Sequence, residues 1–153
     1  MAEISTKQFI SFTVGDEEYG VDIIAIREIK GWTPTTPLPE APLHMRGVID
    51  LRGAIVPIID LRVRFHNGRT EVTPTHVIIV VAIGDMTVGL LADAVVDILT
   101  VPVTDIQPPP DLENGGGPGY VGGIVTVEGR MVVLLDLVRL MERDRDILSV
   151  AAA

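Results

Sequence analysis

Side chains that carry out acid–base, nucleophilic or metal chemistry are few in this sequence and form no known constellation. The three histidines, His44, His66 and His76, have neither His-x-x-x-His nor Glu-x-x-His spacing, which a helical metal site needs. Asp93 and Asp97 would share a helix face, but apolar residues flank them and no histidine accompanies them. No serine lies in Gly-x-Ser-x-Gly, and the chain has no cysteine. The sequence therefore indicates a protein that acts by binding, with no metal or other cofactor.

Arg52 is a charged residue between two short β-branched runs, where binding chemistry is plausible. Val48–Leu51 and Ile55–Ile59 favour strands, and Gly53 permits the positive φ of a tight hairpin. Pro57 cannot donate to a strand ladder, so we expect an edge or a bulge there. A guanidinium offers five donors in a planar fork, which suits carboxylate or carbonyl oxygens of a partner. In an isolated hairpin, a charge at the tip is more often a solvated turn residue than a binding residue.

This hairpin belongs to an internal repeat. Residues 47–61 align with 123–137 without a gap, and the Gly-Asp…Gly pattern at 15–20 recurs at 84–89. The repeat predicts two similar β units, residues 9–70 and 75–140, with Gly53 and Gly129 at equivalent turns. Gly47 and Gly123 also correspond, which predicts a close approach of a backbone or a partner. The tip residue differs, because Arg52 corresponds to Glu128, so its charge is a candidate for function.

The other segments predict short strands, one irregular loop and one helix. Residues 9–24 predict a hairpin. The isoleucines spaced three apart over 23–29 fit either a helical turn or a bent strand. Four prolines predict an irregular loop at 33–43. We expect a short helical turn at 60–65 and, from apolar spacing, a C-terminal helix over 137–148.

Composition limits the compartment and the partners. The 153 residues suit one compact domain or two very small ones sharing a core. No apolar stretch approaches the ~20 residues of a membrane span, and the N-terminus lacks the features of a signal peptide. The net charge of −9 argues against nucleic acid and anionic membranes, although Arg46, Arg52, Arg62 and Arg64 could form a local basic patch. We therefore expect a cytoplasmic protein.

Four stretches carry a specific pattern. They are Gly-Asp-Glu-Glu-Tyr-Gly-Val-Asp-Ile at 15–23, Ile-Arg-Glu-Ile-Lys-Gly at 26–31, Arg-Gly-Val-Ile-Asp-Leu-Arg-Gly-Ala-Ile-Val-Pro-Ile-Ile-Asp-Leu-Arg at 46–62 and Val-Gly-Leu-Leu-Ala-Asp at 88–93. The pattern resembles the CheW family of bacterial chemotaxis coupling proteins over nearly the whole chain. The resemblance implies a mostly β fold, with two small SH3-like five-stranded β-barrels packed around a shared core and a short C-terminal helix. It also implies a non-catalytic adaptor that bridges chemoreceptor tips and the regulatory domain of the histidine kinase CheA, in receptor arrays at the inner membrane.

The resemblance implies two contact surfaces when it is carried over residue by residue. Arg52, Glu28 and Val88 correspond to receptor-side positions near the groove between the barrels. Ile26 and Gly47 correspond to kinase-side positions on the first barrel. If the edge carrying 26–30 lies beside the hairpin tip, Glu28 would pair with Arg52 and orient its fork.

The sequence departs from the family pattern at two places. Asp50 stands where the family usually has Asn. Gln107 and Leu112 stand where relatives often carry an Arg and an aromatic residue that form a second kinase contact. These two positions therefore mark a second kinase contact without its usual side chains.

Three other functions are alternatives to a chemotaxis adaptor. A small β-barrel that binds oligonucleotides would need exposed aromatic residues on a basic face, whereas aromatic residues are only 4% of this acidic chain. An adaptor of a two-component pathway with an output other than motility would have the same sequence. The regulatory domain of the kinase itself would share the resemblance, but we expect it to be joined to phosphotransfer and ATP-binding domains.

Overall fold

The computed structural model describes residues 5–65, 68–109 and 119–141. Within these residues the chain forms ten β-strands, two short α-helices and two 3₁₀ turns. The strands are β1 (Thr6–Val14), β2 (Glu17–Asp22), β3 (Ile26–Gly31), β4 (Met45–Leu51), β5 (Ala54–Asp60), β6 (Val77–Ile83), β7 (Met86–Ala92), β8 (Ala94–Pro102), β9 (Val121–Val127) and β10 (Arg130–Leu135). The helices are α1 (Leu61–Arg64) and α2 (Leu137–Leu140), and the 3₁₀ turns cover Ile23–Ala25 and Val103–Asp105.

The strands form two five-stranded sheets, here called sheet A and sheet B. Sheet A has the order β8-β1-β2-β10-β9, and sheet B has the order β3-β6-β7-β5-β4. Most neighbours are antiparallel, but β2 pairs with β10, and β5 with β7, in parallel. The predicted mostly β fold with two five-stranded units is confirmed.

Each copy of the repeat supplies five strands and a short helix, but its strands divide between the sheets. The first hairpin of each copy, β1–β2 or β6–β7, joins the three later strands of the other copy. This corrects the prediction that residues 9–70 form one barrel and 75–140 the other. The physical reason is long-range pairing, since both parallel ladders join a strand of one copy to a strand of the other.

The two hairpin tips have the same backbone. Arg52 and Gly53 have φ of 51° and 88°, and Glu128 and Gly129 have φ of 51° and 81°. Two positive φ values in a two-residue loop are typical of a type I′ hairpin turn. The prediction of equivalent turns at Gly53 and Gly129 is therefore confirmed.

Two local strand predictions take a specific form in the structure. Residues 23–29 contain both predicted alternatives, a helical turn and a strand, because the 3₁₀ turn Ile23–Ala25 leads directly into β3.

Pro57 lies in β5, which is an inner strand of sheet B rather than the predicted edge. It is tolerated there because the ladder between β5 and β7 begins at Ile58, one residue later.

Both short helices begin after an aspartate. Asp60 accepts a hydrogen bond from the backbone N–H of Arg62 at 3.1 Å at the start of α1, as the prediction for 60–65 requires. The C-terminal helix begins at Leu137, as predicted, and α2 ends at Leu140. Residues 142–148 of the predicted helix lie outside the described residues.

The largest core cluster is shared between the sheets. It includes Phe12 and Tyr19 from sheet A, and Ile79 and Leu90 from sheet B. Each sheet also encloses a smaller buried cluster of its own. The buried side chains therefore form the cores of two small units and a common core between them.

Candidate protein-docking site

Arg52 and Glu28 meet although they belong to opposite edges of sheet B. Arg52 follows β4 and Glu28 lies in β3, which are the two outer strands. Nη2 of Arg52 donates to Oε1 of Glu28 at 2.7 Å, and Nη1 donates to Oε2 at 3.5 Å. A contact between opposite edges requires a curled sheet, so we call this pair the edge clasp. The hydrogen bond to Glu28, and then its charge, raise the pKa of the Arg52 guanidinium.

The edge clasp leaves most of the arginine accessible. The Arg52 side chain is 75% exposed, whereas that of Glu28 is 28% exposed. Oδ1 of Asp50 accepts from the N–H of Gly53 at 2.8 Å and so stabilises the turn. An asparagine would offer the same acceptor, so the Asp50 departure preserves this contact. The guanidinium is thus an exposed cation on a well-defined turn.

Ile26 lies two residues before Glu28 on β3. The ladder with β6 shifts register between them, because Ile26 pairs with Val81 and Glu28 pairs with Val80. Ile26 is partly buried and packs against the shared core. A partner could therefore reach only part of its side chain.

Val88 does not contribute to any surface. Its side chain has no exposed area and lies in the shared core. It pairs across the sheet with Val81, which is also the partner of Ile26. The expectation of a receptor-contact residue is therefore corrected, because Val88 can affect docking only through the strands that it supports.

Gly47 admits a neighbouring segment of the chain. It is buried with φ of 133°, and a Cβ atom there would collide with the carbonyl group of Thr36. Val48 exchanges two backbone hydrogen bonds with Thr36, of 2.8 and 2.9 Å. The predicted close approach of a backbone is confirmed, and that backbone is the protein's own loop.

Gly123 has the same role in the second copy. A Cβ there would meet Ile106 at 2.8 Å and the carbonyl oxygen of Gln107 at 3.2 Å. Gln107 and Ile124 exchange two backbone hydrogen bonds of 2.8 Å, while Gln107 as a residue is exposed. Leu112 lies outside the described residues.

Three of the arginines proposed for a local basic patch are used within the protein. Arg46 donates to the fully buried carboxylate of Asp60 at 2.9 Å. Arg62 donates to Asp93 at 3.0 Å, and Arg64 donates to a backbone carbonyl of α2 at 3.3 Å. Arg52 is the member of this group that remains largely exposed.

Asp93 joins several elements, a role that its apolar sequence neighbours do not indicate. Besides Arg62, it accepts from the N–H of Gly15 at 2.8 Å and lies 3.3 Å from Nε2 of His76. Nδ1 of His76 accepts from the N–H of Thr73 at 3.0 Å, so the ring carries its proton on Nε2, toward Asp93. Arg62, His76 and Asp93 line a polar cavity of about 530 Å³. Because they bind one another, we interpret the cluster as structural.

An exposed apolar surface on β8 was not predicted from the sequence. Val95, Val96 and Ile98 are 37%, 44% and 56% exposed on an edge strand of sheet A. Exposed apolar edge strands are typical of association surfaces. The repeat could have indicated this surface. When the turns at 15 and 84 are aligned, Val96 of β8 corresponds to Arg27 of β3, which is exposed.

Residues 5–65, 68–109 and 119–141 lack two broader features. In this part of the chain, no three histidine or acidic side chains come together as a metal site would require. The same residues contain no helix with the length and hydropathy needed to cross a membrane.

Comparison with known proteins gives a consistent family. The model of the CheW-like domain matches residues 8–145. A chemotaxis protein CheW of Rhizobium meliloti (strain 1021) is 49% identical over 131 residues, covering 86% of this chain and 84% of that protein. A CheW of Klebsiella aerogenes is 36% identical over 138 residues, covering 90% and 83%. The crystal structure of the scaffolding protein TtCheW from Thermoanaerobacter tengcongensis is similar with a TM-score of 0.83 at 33% identity, covering 90% of this chain and 94% of that chain.

Proposed function

Because this chain belongs to the CheW family and is a chemotaxis scaffold, we propose that it joins the regulatory domain of a CheA-type histidine kinase to the cytoplasmic tips of chemoreceptors. The edge clasp carries the proposal, since it holds an exposed guanidinium at the end of a two-stranded arm. The protein acts by binding, without catalysis of its own and without a cofactor.

The receptor surface is centred on Arg52 and Glu28. Glu28 engages part of the guanidinium fork, and the remaining N–H donors can bind a carboxylate or carbonyl group of a receptor. Val88 supports this surface from the core, without contact. The exposed apolar residues of β8, on an edge of sheet A, offer a second surface for association.

The kinase surface includes the accessible part of Ile26 and the loop that Gly47 admits beside β4. Gly47 acts through this loop, because its own position is buried. Gln107, with Leu112, forms the second kinase contact, which uses an exposed amide in place of an arginine.

A cytoplasmic location at receptor arrays follows from these partners, with the membrane reached only through the receptors. Nucleic acid is disfavoured as a partner, because the net charge is −9 and Arg46, Arg62 and Arg64 have partners within the protein. An adaptor for a different two-component output would use the same surfaces with different receptors.

A three-component binding assay tests the proposal. The kinase regulatory domain is immobilised, and a receptor cytoplasmic fragment is passed over it with and without this protein. We expect retention of the fragment to depend on the protein, and a single-stranded oligonucleotide to show no binding. A protein that binds neither the kinase domain nor the receptor fragment would rule the proposal out.

A further inference from the structure

The repeat creates two equivalent junctions between the sheets, and an ion pair closes the first. At this first junction, Nη1 of Arg62 in α1 lies 3.5 Å from the position that a Cβ of Gly15 would occupy. Asp93 accepts from Arg62 at 3.0 Å and from the N–H of Gly15 at 2.8 Å. The long arginine side chain therefore fills the space beside the turn.

At the second junction the corresponding side chains are apolar. The Asp-Leu alignment puts Val138 at the counterpart of the arginine, and the Gly-Asp alignment puts Ile24 at the counterpart of the aspartate. Gly84 corresponds to Gly15, and both have φ of 62°, so the turns have similar backbones. Among the described residues, nothing lies within 4 Å of a Cβ built on Gly84.

An open cleft of about 300 Å³ remains at this second junction. It is lined by the apolar side chains of Ala25, Ile83, Leu137 and Val138, among others. Val138 is 60% exposed, and Ile24, the neighbour of Ala25, is 81% exposed. The volume is at the lower end of the range for small-molecule pockets, which run from about 300 to 1,000 Å³. An apolar side chain of a protein partner therefore suits the cleft better than a free small molecule.

The charge of the cleft narrows the choice of partner. Two carboxylates, Asp22 and Asp136, line it, and no Lys or Arg of the described chain does. Asp136 lies 3.6 Å from Nε of Arg139, whereas Asp22 has no ionic partner among the described residues. A large apolar side chain next to a Lys or Arg would complement this lining.

We propose that this cleft receives such an apolar side chain, flanked by a basic residue, from the regulatory domain of the kinase. The cleft is continuous with the proposed kinase contact, because Ala25 is followed directly by Ile26. The inference rests on the proposed function and adds Ala25 and Val138 to the kinase surface. The partner's side chain takes the place that Arg62 occupies at the first junction.

The test fills the cleft from within. Val138→Arg introduces at the second junction the residue type that closes the first. We expect binding of the kinase regulatory domain, measured by titration calorimetry, to weaken at least tenfold, with receptor-fragment binding and Tm unchanged. Met131→Arg is the matched control, because Met131 is 62% exposed on β10 and does not line the cleft. It should bind like wild type.

The other outcomes would contradict either the cleft or the proposed function. Wild-type affinity of Val138→Arg for the kinase domain would overturn the cleft and leave the proposed function standing. An equal loss in Met131→Arg would assign the effect to added charge and also overturn the cleft. If Val138→Arg melts early, Val138→Ser must weaken kinase binding for the inference to hold. A wild-type protein that fails to bind the kinase domain would instead reject the proposed function.

Discussion

Arg52 and Glu128 occupy the same left-handed turn position, so the backbone places the same demand on both residues. Their partners differ. Arg52 reaches Glu28 across the two edges of sheet B, whereas Glu128 pairs at 3.3 Å with Arg130, two residues along its own hairpin. The turn therefore does not explain the arginine, and the receptor contact proposed above is our explanation for it.

Replacing the arginine should separate recognition from stability. We expect Arg52→Ala to leave Tm nearly unchanged, because the side chain is largely solvated and an exposed ion pair stabilises little. Binding of a receptor cytoplasmic fragment should weaken roughly thirtyfold, as for a truncated arginine anchor at a desolvated interface. Parallel thermal melts and titrations measure both effects.

Glu128→Ala is the matched control for this substitution, because it changes the tip of the second copy. It should melt and bind like wild type. A large drop in Tm for Arg52→Ala would make the arginine structural, and unchanged receptor binding would reduce it to a turn charge.

The sequence predicts the Arg52–Glu28 pair on the condition that the edge carrying 26–30 lies beside the hairpin tip, and the structure fulfils this condition. The sequence misplaces Val88. A valine in a strand gives the same local pattern whether it faces a partner or the core. Its burial depends on packing between the two sheets, which no short motif encodes.

At the scale of elements, the sequence predicts hairpins and helix starts better than their assembly. Turn glycines and β-branched runs specify β4–β5 and β9–β10 locally. The parallel ladders β2–β10 and β5–β7 join residues far apart in sequence, so local patterns cannot tell which sheet receives each first hairpin. The exchange of hairpins between the copies is for this reason visible only in the structure.

The two helix-starting aspartates give a matched test of what an element depends on. Asp60 is fully buried and accepts from Arg46, Thr70 and the start of α1, whereas Asp136 is partly exposed and caps α2. Asp60→Ala should lower the free energy of unfolding by about 3–5 kcal/mol, because Arg46 loses its buried partner. Asp136→Ala should lower it by about 1 kcal/mol, as for a lost helix cap.

Urea unfolding of the two aspartate variants measures this difference directly. Equal losses would mean that the buried ion pair contributes no more than the cap. In that case, the contacts of Asp60 with Arg46 and Thr70 would not anchor α1 and the following loop.

At the scale of the whole molecule, a row of aromatic rings crosses the region between the sheets. Phe12, Tyr19, Phe65 and Tyr120 follow one another with centroid distances of 6.1, 4.6 and 5.2 Å. Phe12 and Tyr19 belong to sheet A. Phe65 directly follows α1, the short helix that continues from strand β5 of sheet B. An adaptor that holds two partners at once needs its two units fixed relative to each other, and this row joins them through ring contacts.

Two members of the aromatic row, Tyr19 and Tyr120, lead us to expect that the contact between the sheets is sensitive to high pH. Burial raises the pKa of Tyr19, with the negative charge of Glu17 adding to the effect. Burial also raises the pKa of Tyr120, against the opposing charge of Arg64. The folded state thus holds both phenolic protons more tightly than the unfolded chain, whose tyrosines titrate near pH ~10. The stability from this difference is present below that pH and is lost as pH rises through the folded values.

We therefore expect the Tm of wild type to fall more steeply between pH ~9.5 and ~11 than that of the Tyr19→Phe/Tyr120→Phe double variant. The double variant removes both tyrosines of the chain while keeping the rings, so deprotonation of lysines affects the two proteins alike. Thermal melts across this range at constant ionic strength measure the two slopes. Parallel slopes would contradict the assignment of alkaline sensitivity to the aromatic row, and would direct attention to other groups that lose protons at high pH.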